Sequence, residues 1–169
     1  MITPPSVRQR ILGIDPGLNI TGYGVLEIVS GRIHLLDAGI VRSHSKTFEG
    51  RILDIYNGVA DVITSWHPEV MAMEKLYSLY KRPQTAILMG HARGAICLAA
   101  AQNSIPVLSY AATQIKKLLT GNGRASKDQM QRAIQLELHL KTYPEPADVA
   151  DALAIALCHF FHTKLVSIG

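Results

Sequence analysis

Four acidic residues stand where a folded chain has little reason to place a charge. In ILGIDPGLNITGYGVLE (11–27), Asp15 follows apolar residues and precedes Pro16 and Gly17. In VMAME (70–74), Glu74 closes a second apolar run, while Asp148 and Asp151 lie three apart just ahead of ALAIALC (152–158). Desolvating a carboxylate costs far more than an apolar neighbour returns. Two like charges ~4 Å apart repel by about 4 kcal/mol at an effective dielectric near 20. If the four converge, they call for a cation. Hard divalent ions take oxygen ligands, above all Mg²⁺, with Mn²⁺ able to substitute. Paired ions of this kind activate a water and stabilise the leaving oxygen in phosphodiester cleavage.

Each acid also has a plainer explanation. Asp148 or Asp151 alone suits the positive N-terminal end of a helix dipole. Asp15 before Pro-Gly suits a turn. Glu74 has the poorest such alternative, and the set as a whole favours a metal site. The seven histidines are left out of it. His159 and His162 follow Asp151 on the same expected helix, but eight residues rise about 12 Å, and His91 reads as a polar surface or interface residue.

The elements that must carry these acids follow from periodicity. Three strands are expected first, Gln9–Asp15, Gly22–Ile28 and Ile33–Val41, with Ser30-Gly31 as a tight hairpin turn. Phe48, Ile52, Ile55, Tyr56, Val59, Val62, Ile63 and Trp66 form one helical stripe, which Pro68 prevents from continuing. A buried strand at 70–74 is followed by a small-residue helix, about Gln84–Gln102, with Gly90 and Gly94 four apart. Then come a strand at Ile105–Tyr110, a short helix at Thr113–Leu119 stopped by Gly121, and a helix opened by Ser126 and Gln129 as a capping box. A last helix, about Pro146–His162, starts where proline's missing N–H is harmless. The order βββ-α-β-α-β-α-α-α implies an α/β, ribonuclease H-like fold: a mixed five-stranded sheet with helices on both faces. Residues 1–9 read as a flexible tail and 10–165 as a single ribonuclease H-like domain.

Bulk properties narrow the partners. The chain has 169 residues, 48% of them apolar, enough for a full core. Its longest apolar runs fall short of the roughly 20 residues that span a bilayer. The N-terminus has no secretory h-region. Cys97 and Cys158 stand alone in apolar patterns, as thiols packed in a reducing cytoplasm do. The net charge is only +4, yet residues 75–127 hold eight Lys/Arg and no Asp or Glu. That block points to one face built for a polyanion.

GIDPGLNITGYG, Glu74 followed three residues on by an aromatic, GHARG, QIKKLLTGNGRASKDQ and ADVADALAIALCH together resemble the RuvC-type Holliday junction resolvases, in order and from about Ile11 to His159. The resemblance implies a homodimeric, Mg²⁺-dependent endonuclease. Such an enzyme makes paired symmetric nicks in four-way DNA junctions during recombination and repair, leaving 5′-phosphate ends. It would work in the cytoplasm beside the branch-migration proteins RuvA and RuvB. Asp15, Glu74, Asp148 and Asp151 would then be the catalytic and metal-binding acids, and Lys116 and Lys127 would contact DNA. Tyr77 falls where the family usually has Phe, near the strand exchange point. The loop KRPQTAILMG (81–90) has Pro83 and Leu88 where the family usually has Ala and Lys, which shifts the expected phosphate contacts to Lys81 and Arg82. The Gly90/Gly94 helix is the candidate dimer surface. Two alternatives remain at this point. One is an actin-like ATPase-type nucleotide-binding domain, whose second lobe 169 residues would not accommodate. The other is a non-catalytic DNA-binding module.

Overall fold

The computed structural model describes residues 8–76 and 83–166. Its elements run β1 (Arg8–Asp15), β2 (Ile20–Val29), β3 (Arg32–Arg42), α1 (Phe48–Trp66), β4 (Val70–Glu74), α2 (Pro83–Gln102), β5 (Val107–Tyr110), α3 (Ala112–Thr120), α4 (Lys127–Glu137) and α5 (Ala147–Val166). The five strands form one sheet in the order β3-β2-β1-β4-β5. β1, β2 and β3 pair antiparallel, while β4 runs parallel to both β1 and β5. The mixed sheet is the one expected.

Local chemistry sets the boundaries. Ser30 and Gly31 both take positive φ (51° and 79°), the pair of left-handed residues a two-residue hairpin turn needs. Thr47 caps α1 by accepting from the Gly50 amide, and His67 closes it in a left-handed conformation, its N–H reaching the Ile63 carbonyl. β5 begins at Val107, two residues later than expected. Ile105 is still turning, its N–H bonded to the Ala100 carbonyl, and Pro106 contributes a carbonyl to the Met71 N–H. β1 starts at Arg8, inside the stretch read as a tail.

Strand alternation divides the core into two layers. On one face Ile11, Leu26, Val70 and Ala72 pack with α5 and with Ile115 of α3 and Ile134 of α4. On the other, Leu12, Ile14, Val25, Met71 and Met73 pack with α1 and α2. Helices therefore cover both faces. α5 runs four residues past the expected end at His162 and is apolar almost all round. With 20 residues and a mean hydropathy of 1.4, it is long and apolar enough to cross a membrane, although its unbroken apolar run ALAIALC (152–158) is short. Its burial against the sheet identifies it as the core helix of this fold. Cys158 is buried within it and Cys97 half-buried in α2, both free thiols.

Candidate active site

The sheet brings Asp15 and Glu74 together by register. β1 and β4 are parallel neighbours paired through Ile14↔Met73, so Asp15 and Glu74 are the next residues on each strand. Both follow in phase with Ile11 and Gly13, and with Val70 and Ala72, which places them on the α5 face at the carboxyl ends of the strands. Connections leave these two strands toward opposite edges of the sheet, and ligand crevices in open α/β sheets form at such a switch point.

α5 delivers the other two acids because glycines let its backbone lie directly on the sheet. A Cβ at Gly13 would stand 2.1 Å from the Ala152 carbonyl oxygen, and one at Gly22 2.0 Å from that of Asp148. Gly22 is the register partner of Asp15. The close approach therefore seats the first turn of α5, with Asp148 and Asp151, beside the end of β1. The turn after Asp15 is closed by the buried Thr21 hydroxyl, which donates to the Gly17 carbonyl (2.8 Å) and accepts from the Gly17 N–H (3.2 Å). Asp15 takes no part in that closure, so turn formation does not account for it.

The acids share one electrostatic field. Burial, then the charges of Asp151, Asp148 and Glu74, push the Asp15 carboxyl up to about 7. Burial and Asp151 also raise Glu74, which Lys116 pulls back down. Asp151 opens to the cleft, yet desolvation by its surroundings raises it most; Lys127 opposes this and Asp148 adds to it. Among the described residues none of the four carboxylates is in an ion pair, the one pair being Arg10 with Glu27.

Glu74, Lys116, Lys127 and Asp151 line a cleft of about 190 Å³ over an apolar floor. α4 presents Lys127 as its first residue because the capping box expected there forms. The Ser126 hydroxyl accepts from the Gln129 N–H (3.2 Å), and the Gln129 side chain accepts from the Ser126 N–H (2.8 Å). Two of the expected DNA-contacting lysines thus stand at the acids. Tyr77, Lys81 and Arg82 lie outside the described residues.

The donor set is all oxygen, which suits a hard cation. Among the described residues no three Asp, Glu, His or Cys side chains are gathered tightly enough to cage an ion unaided. Mg²⁺ does not require such a cage, since it keeps several waters and takes only one or two carboxylates. A shared field that holds one acid near neutrality without a cation is the condition a divalent ion relieves. His159 and His91 are engaged elsewhere. His159 is buried, its Nδ1 hydrogen-bonded to the Tyr110 hydroxyl at 2.6 Å, and the His91 ring packs edge-on against Phe48.

Residues 11–159 match the family described as crossover junction endodeoxyribonuclease RuvC. The chain belongs to this family. A RuvC of that description from Rhodopirellula baltica is 52% identical over 155 residues, covering 91% of this chain and 87% of the relative. The solved RuvC of Thermus thermophilus is 32% identical with a TM-score of 0.85, covering 94% of this chain and 97% of that one. The same protein solved with a Holliday junction substrate superposes with a TM-score of 0.88. Membership makes the chain a metal-dependent nuclease of the ribonuclease H-like fold, and the ATPase and non-catalytic alternatives fall away.

Sequence reasoning missed Arg93, which sits inside the GHARG motif. Its guanidinium donates to the Glu74 main-chain carbonyl (2.7 Å) and to the Ser109 hydroxyl (2.5 Å). The β1–β4 pairing stops at Ile14↔Met73, and just beyond it this fork clamps the backbone of Glu74 to β5. The signal was present: a lone arginine among small residues on a helix packed against the sheet.

Proposed function

We propose that this chain is a divalent-metal-dependent endonuclease that resolves four-way DNA junctions by paired, symmetric nicks. Convergence carries the reading: Asp15, Glu74, Asp148 and Asp151 from three separate segments share one field, with Lys116 and Lys127 beside them. Asp15, Glu74, Asp148 and Asp151 would hold Mg²⁺, or Mn²⁺ in its place. An ion there supplies Lewis acidity at the scissile phosphate and offsets the acids' mutual repulsion.

The chain's own groups do the rest. Lys116 and Lys127 hold backbone phosphates over the cleft with little regard to sequence. The α5 N-terminus turns its positive end toward the same region. A water attacks phosphorus in line, its proton passing to an acid of the set. The P–O3′ bond breaks, and the 3′ oxygen leaves and takes up a proton, giving a 5′-phosphate and a 3′-hydroxyl. Tyr77, Lys81 and Arg82 extend the contact, with the Tyr77 ring stacking on an unpaired base for about 1–3 kcal/mol.

Two coordinated nicks on a nearly twofold substrate call for a twofold dimer. The face between α1 and α2 supports that reading. Leu53, Ile87 and Leu98 are more than half exposed there, and added Cβ atoms at Gly90 and Gly94 would meet nothing within 4 Å. RuvA and RuvB are the partners the family implies, and residues 10–165 would act as one nuclease domain in the cytoplasm.

The test is a synthetic four-way junction and a linear duplex of the same sequence, each incubated with Mg²⁺ or with EDTA. Symmetric nicks in the junction, with Mg²⁺ alone, are expected. Equal cutting of the linear duplex, or none of either, would refute the proposal.

A further inference from the structure

Lys116 and Lys127 account for cations on the β4 side of the carboxylates only. On the β3 side the chain passes to α1 through Arg42-Ser43-His44-Ser45-Lys46, and this connection alternates like a strand. Arg42, His44 and Lys46 are exposed, while Ser43 and Ser45 are half-buried.

The inward positions are bolted down. Ser43 donates from its N–H to the Asn19 carbonyl (3.0 Å) and from its hydroxyl to the Leu18 carbonyl (2.9 Å). The N–H groups of His44 and Ser45 both donate to Asp54 Oδ2, at 2.8 and 2.9 Å. Arg51 donates to the Ser45 carbonyl (3.1 Å) and to the Asn19 side chain (3.2 Å). The ribbon is therefore clamped to the β1–β2 turn that begins at Asp15.

Register sets its direction. Ile20 pairs with Arg42 and Gly22 with Ile40, while Gly22 also pairs with Asp15. Arg42 is thus in phase with Gly22, on the α5 face, with its backbone about 12 Å from that of Asp15 at standard strand spacings. Among the described residues neither Arg42 nor Lys46 is in an ion pair. Asp54 on α1 is engaged by two amides of the ribbon and Glu49 is exposed, while Asp148 of the carboxylate set lies against Gly22, one register step from Arg42.

We propose that Arg42, His44 and Lys46 form a second phosphate-contact surface, which grips the DNA on the β3 side of the carboxylates. The inference rests on the nuclease reading above and extends its contacts. A single small anion would need convergent donors. Here two cations flank a histidine at alternate, exposed positions along the ribbon, an arrangement that engages successive charges of a linear polyanion. Fixing the backbone beforehand removes the ordering cost such a contact would otherwise carry.

The experiment measures junction binding in EDTA across a salt series for the wild type, the Arg42→Gln/Lys46→Gln double variant and Arg32→Gln. Arg32 is an exposed cation at the distant β2–β3 turn and controls for net charge. The double variant is expected to bind about tenfold more weakly at moderate salt, with a log–log slope shallower by about 1.8, the equivalent of two phosphate contacts. Arg32→Gln should leave the slope at the wild-type value. An unchanged slope in the double variant, or an equal drop in Arg32→Gln, would overturn the inference. Lys46→Gln alone, whose side chain makes no hydrogen bond among the described residues, carries the same test at half the slope change should the double variant melt early. A wild type that neither binds nor nicks the junction would sink the nuclease reading; one that does both beside an insensitive double variant sinks only this surface.

Discussion

Replacing Asp15 by Asn removes a charge that the fold confines beside three others. The Asp15 carboxyl is pushed from 3.8 to about 7, so the folded state holds its proton more tightly than the unfolded chain. The sign follows from linkage: metal-free stability falls as pH rises from the unfolded value near 4 to the folded value near 7, and the penalty is fully present above that. Three units correspond to about 4 kcal/mol as an upper bound. The group is partly open to solvent and the acids can relax apart, so about 2 kcal/mol is the expected share. For a domain of this size that raises Tm by about 4–8 °C. Thermal melts of both proteins in EDTA at about pH 8 and about pH 4.5 read the effect. Asp15→Asn should be the more stable protein at the higher pH and lose most of that advantage at the lower. Saturating Mg²⁺ should stabilise the wild type more than the variant. An Asp15→Asn protein that melts at or below the wild-type temperature in EDTA at the higher pH would refute the shared field.

Other outcomes follow from the same geometry. Gly22→Ala should force the first turn of α5 off the sheet, costing about 1–3 kcal/mol by denaturant melt and reducing junction cleavage at least tenfold. Arg93→Gln should lower the single-turnover cleavage rate about tenfold while junction affinity in EDTA stays within twofold, with Arg93→Lys partly restoring the rate through one donor to the Glu74 carbonyl. An equal loss of affinity would assign Arg93 to binding instead. Lys116→Gln and Lys127→Gln should each flatten the salt dependence of junction affinity by about one unit, without base preference.

Much of this could be read from the chain. The β1–β2–β3 meander, the α1 stripe, the Ser126 cap and the VMAME strand announce themselves through local rules of alternation, turn chemistry and capping. The acids were legible because charges closing apolar runs are costly and therefore conspicuous. What stayed hidden was contact at a distance in sequence. Nothing local in GYG reveals that Gly22 lies against the Asp148 backbone; that depends on α5 crossing the sheet, more than 120 residues later. Arg93 was hidden for the same reason, since its partners are a main-chain carbonyl on β4 and a hydroxyl on β5. The 75–127 block stands out by charge alone, whereas in RSHSK two cations and a histidine are diluted by serines and only the exposed–buried alternation lines them up. The length of α5 was underestimated because its last turn, containing Thr163 and Lys164, breaks the apolar run without breaking the helix.

The central claim is that acids from β1, β4 and α5 jointly hold a divalent ion. Calorimetric titration of Mn²⁺ into the wild type and into Asp15→Asn, Glu74→Gln, Asp148→Asn and Asp151→Asn tests it directly. The wild type should bind the ion, and each variant should bind it at least tenfold more weakly while keeping its fold. Wild-type affinity in the Glu74→Gln and Asp151→Asn proteins would contradict the account.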